Sequence, residues 1–241
     1  MKKDWENEAF DIGLTWMPTD YLSMFVDYAK SYRIPNVDEL TYADEDLRPQ
    51  KGYHLDAGIK FRFRDLFEIS ATYFMIRIED EIYYGEDPKV GGYFNRNYDD
   101  DTLRRGVELS AKIYPTSGLT FWGNYSYTDA KFEGTDNKIP LVPESKGSVG
   151  MEWQIIRPLT LSVVGTFVGS MYDGNDQTND QYRKLRSYSV VDMKLMYRYK
   201  NAEIFTGLNN VFNEIYSTAA YSEYAYPMPE RNGYIGMKLE F

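Results

Sequence analysis

Apolar and polar residues alternate with period two along nearly the whole chain, and the apolar members of each run carry no charge. A period of two sends alternate side chains to opposite faces of an extended strand, so the pattern predicts strands rather than helices. Eleven such runs can be followed. Their apolar faces are Phe10/Ile12/Leu14/Trp16, Leu22/Met24/Val26/Tyr28, Leu55/Ala57/Ile59/Phe61/Phe63, Phe67/Ile69/Ala71/Tyr73/Met75, Val107/Leu109/Ala111/Ile113 and Leu119/Phe121/Gly123/Tyr125/Tyr127. Val149/Met151/Trp153/Ile155 and Leu159/Leu161/Val163/Gly165/Phe167 follow, and the last three runs begin at Val191, Ala202 and Ile235. The charges sit on the other face, among them Asp11, Asp27, Asp56, Lys60, Arg62, Glu68, Glu108, Lys112, Asp192, Lys194, Arg198, Glu203, Lys238 and Glu240.

A soluble sandwich alternates too, but tolerates a charge at a strand end on its inner face. A membrane barrel turns its apolar face to lipid, where a midplane Lys or Arg costs about 2–4 kcal/mol. Clearance of charge from the apolar face therefore predicts a transmembrane β-barrel wall with a polar bore. The connections agree. Those at Pro18-Thr19-Asp20, Arg64-Asp65, Pro115 to Gly118, Arg157-Pro158 and Lys200-Asn201 are tight; those at about 35–51, 85–101, 132–143, 173–187 and 211–230 are long. Strict alternation of short and long connections gives a sheet with tight turns at one end and loops at the other, the asymmetry of outer-membrane barrels. Trp16, Tyr21, Tyr28, Phe63, Tyr114, Tyr127, Trp153, Tyr172, Tyr197, Tyr199 and Phe241 lie near run ends, as interfacial aromatic girdles would. One irregularity stands out. Ile76, Ile78 and Ile82 fall on the even positions, which predicts either a bulge or a hairpin that leaves the membrane.

Composition narrows the function. Lys+Arg is 27 and Asp+Glu 37, a formal charge of −10, which argues against a nucleic-acid partner. With no Cys and one His, thiol nucleophiles, disulfides and most metal-ligand sets are excluded, and no resident cofactor or catalytic group is expected. The single His54 reads as a polar bore residue beside Asp56. The acidic runs Asp44-Glu45-Asp46 and Asp99-Asp100-Asp101 read as solvated loop charge, and Gly91-Gly92 as a flexible loop tip. No run is apolar for the roughly 20 residues a membrane helix needs, and Met1-Lys2-Lys3 leads into Asp4, Trp5 and Glu6, unlike a signal peptide. Eleven is an odd number, whereas single-chain bacterial barrels have even counts, so the chain reads as part of a larger barrel.

Several segments, in order along the chain, carry a resemblance to TonB-dependent outer-membrane receptors. They are SYRIPNVDEL (31–40), LRPQKGYHLDAGIKF (47–61), RRGVELSAKIYP (104–115), VPESKGSVGMEW (142–153), NAEIFTGLNNVFNEIY (201–216) and the C-terminal YPMPERNGYIGMKLEF. In the second, Gln50 and Asp56 stand where the family usually has Glu. The resemblance implies an all-β, antiparallel up-and-down barrel of about 22 strands, of which residues 1–241 would be the C-terminal half. The plug domain, the TonB box and the N-terminal barrel half would lie elsewhere. It implies active import in the outer membrane of a Gram-negative bacterium, with outer-membrane lipid, TonB and the barrel-assembly machinery as partners. The last of these would read the terminal Phe241.

The ligand expected from the residues is a planar anionic metal chelate of the iron–siderophore kind. Aromatic faces and guanidinium groups hold such a complex by stacking, cation–π contact and charge, while the chelator itself holds the metal. The long loops supply Tyr84, Tyr93, Arg96, Tyr182, Arg183 and Tyr224 as candidate contacts, with Tyr83, Phe94, Arg186, Tyr221 and Tyr226 nearby in sequence. The alternative is a passive pore or adhesin barrel, closed by pairing two copies or by a strand that the alternation does not reveal, and independent of TonB.

Overall fold

The computed structural model describes residues 4–43, 47–86 and 91–240. Asp44-Glu45-Asp46 and Phe241 lie outside the described residues.

In chain order the elements are β1 (Phe10–Thr19), β2 (Leu22–Arg33), α1 (Val37–Thr41), β3 (Gln50–Phe63), β4 (Phe67–Glu79), β5 (Ile82–Glu86), β6 (Tyr93–Asn97), β7 (Thr102–Thr116) and β8 (Leu119–Phe132). They continue with β9 (Ser145–Ile156), β10 (Leu159–Val168), β11 (Tyr188–Tyr199), β12 (Ala202–Asn209), β13 (Ser217–Tyr221), β14 (Tyr224–Pro227) and β15 (Asn232–Leu239). Eleven strands form one sheet in the order β1-β2-β3-β4-β7-β8-β9-β10-β11-β12-β15, while β5-β6 and β13-β14 are separate hairpins. Every sheet neighbour is antiparallel. The sheet strands are the eleven runs read from the alternation. The irregularity after Met75 is not a bulge, because β4 pairs with β7 in unbroken register from Phe67↔Ile113 to Ile78↔Thr102. Instead the chain leaves the sheet and Ile82 opens the β5-β6 hairpin.

Among the described residues no second layer covers the apolar face. Ile12 is 68% exposed, Val149 66% and Ile235 79%, and the same face exposes Leu14, Val26, Leu109 and Leu195. A soluble monomer does not leave so continuous an apolar surface in water; in acyl chain it is the ordinary outer wall of a barrel. Phe10 and Tyr28 pack at 5.9 Å at the long-loop end of this face, and Phe63 and Phe67 at 5.7 Å at the turn end. Tyr114 leaves the expected girdle: its hydroxyl donates to Glu68 at 3.3 Å, on the polar side.

The polar face also holds large rings. A Cβ on Gly58 would collide with the Phe25 ring, which lies flat across the neighbouring strand, with Lys60 Nζ 5.3 Å from its centroid. Phe205 lies over Gly236 in the same way, with Lys194 Nζ at 4.9 Å. Here glycine is required by close approach, and the ring restores the packing that the missing side chain gives up. At the turn end, Arg62–Glu68 (3.4 Å) and Arg198–Glu203 (2.8 Å) link adjacent strands across the bore wall.

Among the described residues, β1 pairs only with β2 and β15 only with β12, so the sheet has two open edges. Both edge strands run from the long-loop end to the tight-turn end. Pairing β1 of one copy with β15 of another in the same membrane orientation would therefore be parallel, which breaks the up-and-down pattern.

Placing a charge on either side of β9 separates the two faces. Val149→Arg should cost about 2–4 kcal/mol in urea-unfolding free energy, whereas Ser148→Arg, one residue away on the bore side, should cost less than about 1 kcal/mol.

Candidate functional site: the extracellular loop crown

Residues buried as in a conventional core are few, and nearly all lie at the long-loop end. Ala130, Phe132 and Ile139 form one cluster, with Tyr98 and Val142 against it. Met171, Leu185 and Ala220 form another, with Leu141 and Val168. The loops at 34–49, 80–101, 133–144, 169–187 and 210–231, numbered here loops 1 to 5, therefore pack on one another rather than standing apart in solvent.

Each loop is tied to the next. Loop 1 opens with α1, where Asn36 and Glu39 form a reciprocal capping box. Glu39 also accepts from Arg33 Nη1 with both carboxylate oxygens at 2.8 Å. Loop 1 joins loop 2 through Asn97, whose Oδ1 accepts from Arg48 N (2.8 Å) and whose Nδ2 donates to Arg48 O (3.0 Å), and through the Arg48–Asp80 pair (2.6 Å). Loop 2 joins loop 3 where Arg77 reaches Asp101 and Glu133, both at 2.7 Å. That pairing absorbs one carboxylate of the Asp99–Asp101 run. Asn179 of loop 4 accepts from Lys138 N (2.5 Å) and donates to Lys138 O (3.0 Å). Loop 4 holds loop 5 through Asp173, described further below.

Burial and charge perturb a few groups in this crown. Burial draws Lys138 downward, but hydrogen bonds from its ammonium to Asp129 and Glu144 outweigh it and leave the group above the ordinary lysine range. Burial pushes the Tyr98 hydroxyl well above the ordinary tyrosine value, with Glu81, Tyr83 and Tyr221 adding to the effect. Burial raises Glu39, but the Arg33 hydrogen bond and the Asn36 N–H overcome this and lower it.

The candidate ligand contacts fall into three places. Tyr84 and Tyr93 meet on one face of the β5-β6 hairpin with ring centroids 5.8 Å apart, and both are exposed. Arg96 pairs in register with Tyr83, so it belongs to the other face of that hairpin. There Tyr83 stacks on Tyr98 at 4.1 Å, and Tyr98 meets Phe132 edge-on at 4.9 Å. Tyr182 and Arg183 lie on loop 4, where Asp176 accepts the Tyr182 N–H at 3.3 Å and Arg183 is exposed. Tyr224 is 80% exposed at the tip of the β13-β14 hairpin. The structure thus pairs Tyr84 with Tyr93, turns Arg96 to the other face of that hairpin, and carries Tyr182 and Arg183 on loop 4 and Tyr224 on loop 5. Gly91 and Gly92 turn the β5-β6 connection at positive φ.

Sequence reading missed Tyr98, which follows the hairpin yet is half-buried against the Phe132 cluster, and the Tyr172–Lys184 pair, where Lys184 Nζ sits 3.8 Å from the ring centroid. It also missed the structural carboxylates of loop 4. Asp173 and Asp176 are fully buried and are used up by backbone N–H groups. Among the described residues no cluster of His, Asp or Glu could hold a metal ion. His54 Nε2 lies 2.9 Å from Ser31 Oγ on the bore wall.

Comparison with known proteins places this architecture. The family described as "TonB dependent receptor-like, beta-barrel" matches residues 2–211. Among curated proteins, the chain is 25% identical over 253 residues to heme/hemopexin utilization protein C of Haemophilus influenzae, covering 86% of this chain and 35% of the relative. It is 27% identical over 239 residues to the ferrichrome outer membrane transporter/phage receptor of Escherichia coli K12, covering 92% and 30%. The chain thus spans about a third of the length of these relatives. Among solved structures, the closed form of the ferric-catecholate import receptor Fiu of E. coli K12 superposes with a TM-score of 0.76 at 23% identity, over 96% of this chain and 34% of that one. The copper transporter OprC superposes with a TM-score of 0.81 at 16% identity, over 96% and 38%. One barrel design therefore serves different cargoes, and fold alone does not select among them.

Glu39 gives this crown a pH signature. Its carboxyl is lowered in the folded state, so its contribution is complete above the ordinary carboxylate range and is lost as pH falls through the folded value. The protection of the α1 amides, measured as exchange relative to the intrinsic rate at the same pH, should therefore fall on acidification below about pH 4.5. In Glu39→Gln that protection should be low already at neutral pH and should not fall further with acid.

Proposed function

This chain belongs to the TonB-dependent receptor-like β-barrel family, and we propose that it forms one side of the wall and of the extracellular crown of an iron-chelate importer. The family consists of outer-membrane transporters and receptors, not enzymes, and resides in Gram-negative outer membranes. The proposed cargo is an iron–siderophore complex, bound at the crown and moved through the bore with energy delivered by TonB. We take residues 1–241 as a single barrel segment. The plug and the strands that close the sheet are its partners in the complete receptor.

The observation that carries this reading is the division of labour within the sheet. Its apolar face suits lipid, its polar face suits a hydrated bore, and the loops at one end pack into a preorganised surface. Tyr84 and Tyr93 offer adjacent exposed rings for a catecholate or other planar chelator, since ring faces attract both aromatic groups and cations. The exposed Arg183 adds charge for an anionic complex. Two features support partners inside and beside the sheet. Asp27 and Asp56 lie directly opposite each other on the bore wall, with neither in an ion pair among the described residues. Like charges so placed repel, and a basic group on the plug would relieve them. The open edges at β1 and β15 would leave backbone groups unpaired in lipid. Because both edges run toward the tight-turn end, an odd number of added strands that begins and ends running the other way closes them antiparallel; a second copy of this chain in the same membrane orientation, whose own edges run toward the tight-turn end, does not. That topology weighs against the passive pore built from paired copies.

The test uses the complete gene product in cells stripped of their own iron-chelate receptors, with ferric enterobactin, ferrichrome and hemin as probes. One of these should bind with or without TonB and be imported only with TonB. Import, or steady ion conductance in planar bilayers, that persists without TonB would establish the passive pore instead. Replacing both Tyr84 and Tyr93 by Ala should weaken binding of the imported probe by about tenfold, roughly 1.4 kcal/mol. Tyr199→Ala, on the lipid-facing girdle, should leave binding unchanged.

A further inference from the structure

The β13-β14 hairpin of loop 5 turns through Ser222 and Glu223, with Tyr221 paired to Tyr224. Both turn residues have positive φ, 51° and 68°. A two-residue hairpin turn with positive φ at both positions normally carries Asn-Gly or Gly-Gly, because a side chain with a Cβ is disfavoured there. Ser-Glu has no such preference of its own. A non-glycine pair in this region persists only where its surroundings hold it.

What holds it belongs to loop 4. Asp173 is fully buried, yet its carboxylate faces backbone donors from both loops. Oδ1 accepts from Ser222 N (2.8 Å) and Asn175 N (3.0 Å), and Oδ2 accepts from Glu223 N (3.0 Å). Asn175 Nδ2 donates to Ser222 Oγ (2.9 Å), and Gly174 N donates to Ala220 O (2.8 Å). The Tyr221 ring lies against Gly174 so closely that a Cβ there would collide with it. A buried carboxylate answered by three N–H groups is strongly tied, since charge-assisted hydrogen bonds of this kind are about twice as strong as neutral ones.

We propose that Asp173 is a positioning residue for ligand capture: it clamps the strained Ser222–Glu223 turn to loop 4 and so sets Tyr221 and Tyr224 over the bore mouth. Asp173 touches no ligand itself. Without it the turn loses both acceptors and relaxes out of the left-handed region, and the hairpin is held to loop 4 only by the Gly174–Ala220 bond and the packing of Tyr221, so it loosens. The rings of loop 5 are then dispersed rather than held in one arrangement. This role rests on the reading of the crown as the ligand-binding surface, but the clamp itself can be tested apart from that reading.

These 241 residues have no Cys, so once any Cys elsewhere in the complete gene product is replaced by Ser, spin labels can be placed without background at Gln181→Cys on loop 4 and Thr218→Cys on β13. Both sites are exposed. Distances between them are measured in outer membranes carrying the complete gene product, together with binding of ferric enterobactin, ferrichrome and hemin. With Asp173 present the distance distribution should be single and narrow. Asp173→Ala should broaden it at least about twofold, and Asp173→Asn, which keeps one acceptor oxygen, should fall between. Asp173→Ala carrying Ser222→Asn and Glu223→Gly should keep a well-formed turn by NMR or amide exchange yet still show the broad distance, because the turn's bonds to the Asp173 carboxylate are gone and only the Gly174–Ala220 bond and the packing of Tyr221 remain. Whichever probe the wild type binds should lose about tenfold in affinity in Asp173→Ala, while heat-modifiability of the barrel stays unchanged. An unaltered distance distribution in Asp173→Ala overturns the clamp. A broadened distribution with undiminished probe affinity overturns its role in capture. If the wild type binds none of the probes, the functional reading fails while the distances still decide whether Asp173 positions the hairpin.

Discussion

Everything in this molecule depends on where its backbone and its apolar side chains find partners once water is absent. In hydrocarbon an unpaired N–H or C=O costs several kcal/mol, so a spanning sheet must satisfy every group by strand pairing. Among the described residues every strand of the eleven-stranded sheet except β1 and β15 has an antiparallel neighbour on both sides. The same solvent removes any reason to bury Leu, Ile and Val against one another, so they face outward and the sheet has no inner apolar core. Polar residues take the other side, where rings such as Phe25 and Phe205 lie flat over glycines instead of projecting into the bore.

Conventional packing reappears where the chain returns to water. The buried side chains Phe132, Ile139, Met171 and Leu185 all belong to the crown or its margin. Arg77, Lys138, Asn97 and Asn179 stitch neighbouring loops together at hydrogen-bonding distance. A crown built this way presents its exposed rings on a preorganised surface, which lowers the ordering cost that a ligand must otherwise meet. Isolated ion pairs on such a surface contribute little stability each. Their value here lies in fixing the loops relative to one another.

The sheet was legible because its rule is local. Alternation at Val149, Met151, Trp153 and Ile155 marks a strand and its outward face together, and a Lys200-Asn201 pair between two such runs marks a tight turn. The irregularity at Ile76 and Ile78 was readable as a departure, but its cause needed coordinates, since a bulge and an exit into a hairpin leave the same trace in sequence. The crown was less legible because its contacts join residues far apart in the chain. Asp173 and Ser222 are separated by most of loop 4, two strands and half of loop 5, and no spacing rule connects them. The loop tyrosines could be named as a class, yet only the register of β5 with β6 pairs Tyr84 with Tyr93 on one face and turns Arg96 to the other. Tyr114 was misassigned for a different reason. Its place near a run end suggested a girdle, but the alternation sets it on the face of Glu108 and Lys112, where its hydroxyl meets Glu68.

The central claim, that the apolar face meets lipid and the polar face meets water, is tested most directly by scanning spin labels through β9. Single cysteines from position 145 to position 156 in this Cys-free chain would be labelled in native outer membrane. Collision with oxygen, which concentrates in lipid, is compared with collision with a polar nickel chelate, which stays in water. The account predicts oxygen maxima at the odd positions and nickel maxima at the even ones, with a period of two throughout. Odd positions shielded from both reagents would mean that a further layer of protein covers them, and the membrane-wall account would be wrong.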